Sequence, residues 1–374
     1  MVSEVVPMRA RLPAVFVGLA AMATLAAMPI RAGAAGAADP FDHPLNDVAA
    51  IAPDDAWAVD DGLLVHWDGA AWTVTGPSLM RQHTYAAVAA RDADDVWVAG
   101  WIVSMDQNVP LLLHFDGSAW TRFPVPRPVG EGMLHDVVVT PGGQAWAVGG
   151  FDLYTPDEQR RGGLVYRFDG HGWVRVSVPT RVATLSAATP SGRAGLWAVG
   201  MIENPLSHPA ALRWNGSAWR VDRLPEYERN TFATDVVSLG HGRLTVVGSI
   251  WLDAASDWLA GVYVVRYTGG RWVLEKRTPV GALSGVDAGP GGWQVAVGQA
   301  RPGFRAMAMG RDASGWHRLT VPAPAGESGL LGVDIRTAAD AWAVGWREGT
   351  DGYADPMAMH WEGSAWVRVP VPTS

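Results

Sequence analysis

Val96-Trp97-Val98-Ala99-Gly100, then Leu111-Leu112-Leu113-His114-Phe115, the turn Asp116-Gly117 and Ala119-Trp120-Thr121-Arg122-Phe123-Pro124 form the stretch on which the fold turns. The runs are bounded by Gly, Pro and Asp, are rich in Val, Leu and Trp, and never sustain helical spacing, so they read as strands. With the apolar residues 85–89 and the acidic turn 91–95 ahead of them, they make one unit of four short strands. Asp-Gly between two such runs is a hairpin signal, because Gly accepts the positive φ that a type I′ turn demands.

The unit recurs along the chain. A turn followed by tryptophan returns at Trp72, Trp120, Trp173, Trp219, Trp272, Trp316 and Trp366, at intervals of 44 to 53 residues. An earlier tryptophan marks the second strand at Trp57, Trp97, Trp146, Trp197 and Trp342, and units five and six carry Thr245 and Val295 there instead. The turn becomes Asp312-Ala313-Ser314-Gly315 in the sixth unit, where a remodelled hairpin is expected. A fixed period of this size means a supersecondary unit that cannot bury its apolar face alone and stacks on its neighbours. Seven four-stranded units predict an all-β fold, a seven-bladed β-propeller of antiparallel blades. The blades are expected near 45–79, 80–128, 129–180, 181–226, 227–279, 280–324 and 325–374, within one domain over 39–374. No spare strand is apparent at either end, so closure is expected to rest on apolar packing between the first and last blades.

The pattern resembles the kelch-type propellers, including the central propeller of the galactose oxidase family. The points of likeness are a glycine ending the second strand, an aromatic and a turn ending the third, and a tryptophan opening the fourth. The paired glycines of kelch repeats occur only at Gly149-Gly150. The resemblance implies a propeller with a binding surface on a loop face. It carries over no oxidase activity, because that copper chemistry uses a tyrosine linked to cysteine and this chain has no cysteine.

Arg9 and Arg11 precede an apolar run from Leu12 to Ile30, followed by small residues up to Ala38. This predicts a secretory signal peptide over residues 1–38 and a secreted protein with no membrane insertion after cleavage. Removing that segment takes the formal net charge from −8 to −10. So acidic a chain is a poor match for nucleic acid, whose phosphates call for a basic surface. The absence of cysteine leaves blade packing to hold the ring, which a chain of this size supplies without disulfides.

In a propeller the loops between second and third strands open on one face, and the longer variable segments here belong to that set. Long irregular loops on a rigid scaffold are where binding residues usually sit. Trp101, Tyr154, Trp251, Asp253, Asp257, Trp258, Trp346, Arg347 and Tyr353 are therefore the candidate ligand-binding residues, combining exposed aromatics with groups that bond hydroxyls. Asn46-Asp47, His135-Asp136 and Thr234-Asp235 fall on the innermost strands; His135-Asp136, near Asp47 and Asp235, is the best candidate for an axial polar or metal site, with structural lining the favoured reading. His66, His114, Arg167, Arg213, Arg266 and His360 share one repeat position beside the tryptophans, where cation–π or hydrogen-bond packing is the simpler reading than an anion site. No nucleophile elbow, Walker loop or zincin helix is present. No catalytic residue, metal or cofactor is expected. The sequence favours a monomeric, non-catalytic propeller that binds an extracellular glycan or protein, the alternative being a propeller glycosidase or lyase.

Overall fold

The computed structural model describes residues 43–77, 82–104, 107–154, 159–192, 195–203, 207–225, 231–254, 257–278, 281–322, 324–350 and 352–371. The expected signal peptide lies outside them. Seven antiparallel sheets of four strands each are built from consecutive strands, giving the seven-bladed β-propeller. Blade one comprises β1 (Asp47–Ala52), β2 (Asp55–Val59), β3 (Leu64–Trp67) and β4 (Trp72–Thr75). The first strand of every blade is innermost, and these strands touch one another around the whole ring.

Each junction between blades carries its own apolar core. Between blades one and two, for example, Trp57, Val59, Leu64, Tyr85, Val98 and Leu113 pack together. The tryptophan signature is explained by these junctions. The fourth-strand indole stands edge-on to the second-strand indole of the preceding blade: Trp120 on Trp57, Trp173 on Trp97, Trp272 on Trp197 and Trp72 on Trp342, with centroids 5.0–5.8 Å apart and planes 79–88° apart. Edge-to-face contact suits the charge distribution of aromatic rings and adds to their area burial. The two tryptophans of a unit therefore serve different junctions.

The ring of basic residues is structural. His66, His114 and His360 each place Nε2 2.9 Å from Asp55, Asp95 and Asp340, against the faces of Trp57, Trp97 and Trp342. Arg167 and Arg213 lie over Trp146 and Trp197 at 5.7 and 5.5 Å.

Blade five has the expected type I′ pattern, with Gly269 and Gly270 both at positive φ between Thr268 and Arg271, whereas the turns headed by Asp68, Asp116, Asp169, Asn215 and Glu362 differ from it. In Asp68-Gly69-Ala70-Ala71 only glycine has positive φ, at 90°, which is the pattern of a type II′ turn with glycine first of the two central residues. Asp68 Oδ1 accepts the amides of Ala70 and Ala71, both at 2.9 Å. That local bond explains Asp or Asn at the head of the turn. Blade six is remodelled as expected, its Gly315 taking φ 108° at the end of the turn.

Blades one and seven close the ring. Leu45 joins Trp72, Trp342 and Val344 in one core, and its amide bonds Gly345 O at 3.1 Å.

Candidate functional site

Five aspartates on the innermost strands organise the ring from within. Asp47, Asp136 and Asp235, in blades one, three and five, share one register position, opposite Val59, Val148 and Val247. Each accepts an amide of the next blade through Oδ2: Val88 at 3.0 Å, Ala188 at 2.7 Å and Val286 at 2.7 Å. The preceding residue donates to a carbonyl three positions earlier on that same neighbouring strand. Asn46 Nδ2 reaches Tyr85 O at 2.9 Å, His135 Nδ1 reaches Leu185 O at 2.8 Å, and Thr234 Oγ1 reaches Leu283 O at 2.9 Å. The clasped carbonyl sits at a bulge in each case, where the ladder skips a residue. Asp287 and Asp334 do the same work two register positions further along, accepting Ile335 and Ala50 amides at 2.7 Å. Thr189 Oγ1 accepts Ser238 N at 3.1 Å between blades four and five. Blade two carries Ala86-Ala87 at this place, and among the described residues no such clasp joins it to blade three.

Burial dominates the chemistry of these carboxyls. It pushes Asp47 and Asp235 up to about 7 against the pull of the amides they accept. Asp136 is driven well above the usual range by burial and then by the charges of Asp235 and Asp47. Asp334 is raised by burial and by the neighbouring charge of Asp287, to which it hydrogen-bonds. His135 is kept neutral by burial, and because Leu185 O only accepts, Nδ1 holds its proton. Among the described residues no group of His, Asp or Glu is arranged to hold a metal ion.

An axial cavity of about 430 Å³ is lined by the clasp residues together with residues of the second-to-third-strand connections; its wall includes Trp101, Trp346, Asn46, Asp61, Asn108 and Gln299. These connections are not the irregular loops expected from sequence. In blades two, three, four, five and seven they are tall hairpins: strand Asp95–Val103 runs six residues past Trp97 and pairs with Asn108–Phe115, and Leu244–Ala254 pairs with Asp257–Thr268. Their charged and small residues hid a ladder that simply continues the two strands. Blade six is intermediate, its strand ending at Ala300, five residues past Val295, and blade one is the lowest, since β2 stops two residues past Trp57 and a four-residue turn returns the chain. Asp60 Oδ1 holds that turn through the Gly62 and Leu63 amides at 2.7 and 2.6 Å, and Asp61 Oδ1 accepts Asn46 Nδ2 at 3.2 Å. The low wall of blade one thus lies between the tall hairpins of blades seven and two, which bring Trp346 and Trp101 to the same cavity.

The sequence candidates separate accordingly. Trp101 is half-buried, edge-on to His135 at 6.5 Å. Trp346, expected as an exposed loop aromatic, is only 5% exposed because its strand continues past Gly345 and turns the side chain inward. Tyr154 and Tyr353 stand 66% exposed on the hairpins of blades three and seven and are not part of the cavity wall. Arg347 is committed to an ion pair with Asp355. Trp251, Asp253, Asp257 and Trp258 lie on the blade-five hairpin, Asp253 opposite Trp258, and their side chains are outside the described residues. Asp61, Asn108 and Gln299 were not among the candidates; the brevity of Asp60-Asp61-Gly62 against its counterparts was the available signal for the first.

A second hollow, of about 590 Å³, lies between blades one and two, lined by Trp57, His66, Thr75, Phe115 and Trp120. Three residues after the fourth-strand tryptophan, the other blades place Phe123, Val176, Asp222, Glu275, Leu319 and Val369. Phe123 packs on Trp97, His114 and Phe168, with centroids 5.2–6.4 Å apart, and Glu275 bonds Arg311 at 2.7 Å and Trp316 at 3.2 Å. Blade one has Thr75 there, too small to fill the place.

No known protein family's sequence profile matches the chain, and no curated protein is similar to it in sequence. Solved structures share the fold. A GH74 xyloglucanase from Xanthomonas campestris superposes with TM-score 0.59 at 16% identity over 87% of this chain. The extracellular domain of a one-component system protein from B. thetaiotaomicron gives 0.54 at 9% identity over 86% of it. This chain spans 53% of the xyloglucanase and 38% of the second protein. A protein of unknown function from Dyadobacter fermentans gives 0.55 at 11% identity, covering 78% of this chain and 97% of that one. At these identities the likeness is one of fold, and the chain is a seven-bladed β-propeller similar to those proteins in architecture.

Proposed function

We propose that this protein is an exported, non-catalytic propeller that binds a saccharide at the axial cavity of its tall-hairpin face. The observation that carries the reading is the convergence of Trp101 and Trp346 with Asn46, Asp61, Asn108 and Gln299 around one cavity. An indole face accepts the C–H face of a sugar ring, while amides and a carboxyl bond its hydroxyls; a concave site with few placed polar groups is the usual form of a ligand pocket. The xyloglucanase and the extracellular domain among its structural relatives agree with a carbohydrate-related, extracellular role. Kinship with kelch-type propellers belongs to the same proposal and rests on the glycine that recurs within the second strand and on the turn that precedes the fourth-strand tryptophan.

A propeller glycosidase is the alternative, and it needs two carboxyls flanking one bond. Asp61 is one carboxyl on the cavity wall, raised by burial, whereas Asp47, Asp136 and Asp235 are occupied with backbone amides. The test is an array of glycans and wall polysaccharides probed with protein starting near Ala38, wild type and Trp101→Ala, with products followed over time. Binding lost in the variant without turnover supports the proposal. Turnover moves the protein to the enzyme class, and an array blank for the wild type refutes saccharide binding.

A further inference from the structure

We infer that the saccharide taken at the axial cavity carries a protonated amine. The inference rests on the saccharide reading above and adds the charge class of the ligand. Four carboxyls, Asp47, Asp61, Asp136 and Asp235, line the cavity, and among its described lining residues there is no lysine or arginine. The one basic side chain on the wall, His135, spends its Nδ1 proton on Leu185 O. Arginines on the surrounding hairpins are held by their own acids: Arg347 by Asp355, and Arg161 by Asp152 at 3.2 Å and Glu203 at 3.6 Å. The acidic groups of the cavity therefore have no lysine or arginine counterpart among its described lining residues.

A second observation points the same way. Asn46 is 9% exposed and lies on the cavity wall; its Nδ2 serves Asp61 and Tyr85, and its Oδ1 is buried without a partner. The carboxyls and this amide oxygen are acceptors, and no cationic side chain among the described lining residues serves them. An ammonium brings three donors and the missing charge together. Trp101 and Trp346 add aromatic walls, which attract a cation through the ring quadrupole. Burial foremost, and after it the charges of Asp235 and Asp47, raises Asp136, and Asp235 is raised by burial and then by Asp47, so no counter-cation offsets these groups. An acidic sugar would meet like charges, and a neutral one would leave them uncompensated. The formal net charge of −8 also favours a cationic ligand at long range.

Calorimetry with three probes of matched length tests this: a glucosamine oligosaccharide, its N-acetylated counterpart and an oligogalacturonate, each at low and physiological salt. The expected result is about tenfold tighter binding of the free amine than of the N-acetylated chain. That advantage shrinks as salt is added, and the uronate does not bind. Asp61→Asn is expected to weaken the free-amine chain far more than the N-acetylated one, removing most of the advantage. Equal affinity for amine and N-acetyl chains, or tighter uronate binding, overturns the inference while leaving saccharide binding intact. Failure of all three probes, together with a blank glycan array, overturns both.

Discussion

Asp136 Oδ2 accepts the amide of Ala188 at 2.7 Å, so a carboxyl of blade three satisfies a backbone group of blade four. Its Oδ1 takes the amide of Val137 at the same distance. Asp136→Ala leaves both amides unpaired in a buried setting and is expected to cost about 2–4 kcal/mol. Asp136→Asn keeps one acceptor and is expected to cost less than half as much. Chemical denaturation of the two variants checks the ordering; equal losses would mean that the charge, not the bonds, matters.

The buried aspartates set a pH dependence opposite to that of most acidic proteins. Asp47 and Asp235 have carboxyls near 7 in the folded ring against 3.8 in the open chain. Between those values the folded state holds protons that the unfolded state has released. Stability is therefore greatest on the acid side and falls as pH rises toward 7, by up to about 1.4 kcal/mol per pH unit for each group. At the other end, Asp116 is held down to about 2 by Ser118 and its turn amides, and its contribution is lost as the pH falls from about 4 through about 2. Melting temperatures from pH 3 to 9 are expected to peak near pH 4–5, and Asp47→Asn is expected to flatten the descending limb.

Trp101 and Trp346 share a cavity but differ in burial, so their alanine variants are expected to separate binding from folding. Trp101→Ala is expected to weaken ligand binding at least about tenfold with little change in melting temperature. Trp346→Ala is expected to lose about 3–5 kcal/mol of stability as well. A Trp101→Ala variant that binds like wild type while Tyr353→Ala does not would move the site to the hairpin tips.

The hollow beneath Thr75 is an unfilled position of the repeat. Thr75→Phe copies the packing of Phe123 and is expected to raise stability by about 0.5–2 kcal/mol. A lower melting temperature would show that the hollow does not accept a ring.

The fold was legible because its markers are large and periodic: Trp57 and Trp120, for instance, form an edge-to-face pair that recurs at four junctions among the described residues. The site was less so. Trp346 read as a loop residue because Arg347, Glu348 and Asp355 around it obscure strand alternation, although the ladder pairs Arg347 with Asp355 and Glu348 with Ala354. Asp61 and Gln299 reach the cavity only through ring closure, which brings blades one and six to a common axis. The clasps of Asn46-Asp47, His135-Asp136 and Thr234-Asp235 were visible as residues but not as a device, since their partners sit 39 to 52 positions away.

Leu45 and Val371 pack against the same core while every sheet is complete within one stretch of chain. The ring consequently has no privileged starting point. A circular permutant that joins residue 371 to residue 43 through a short linker and opens at the clasp-free boundary near Val129 would keep all seven sheets intact. Gene rearrangement could move the origin of such a ring from one junction to another without having to invent a new fold.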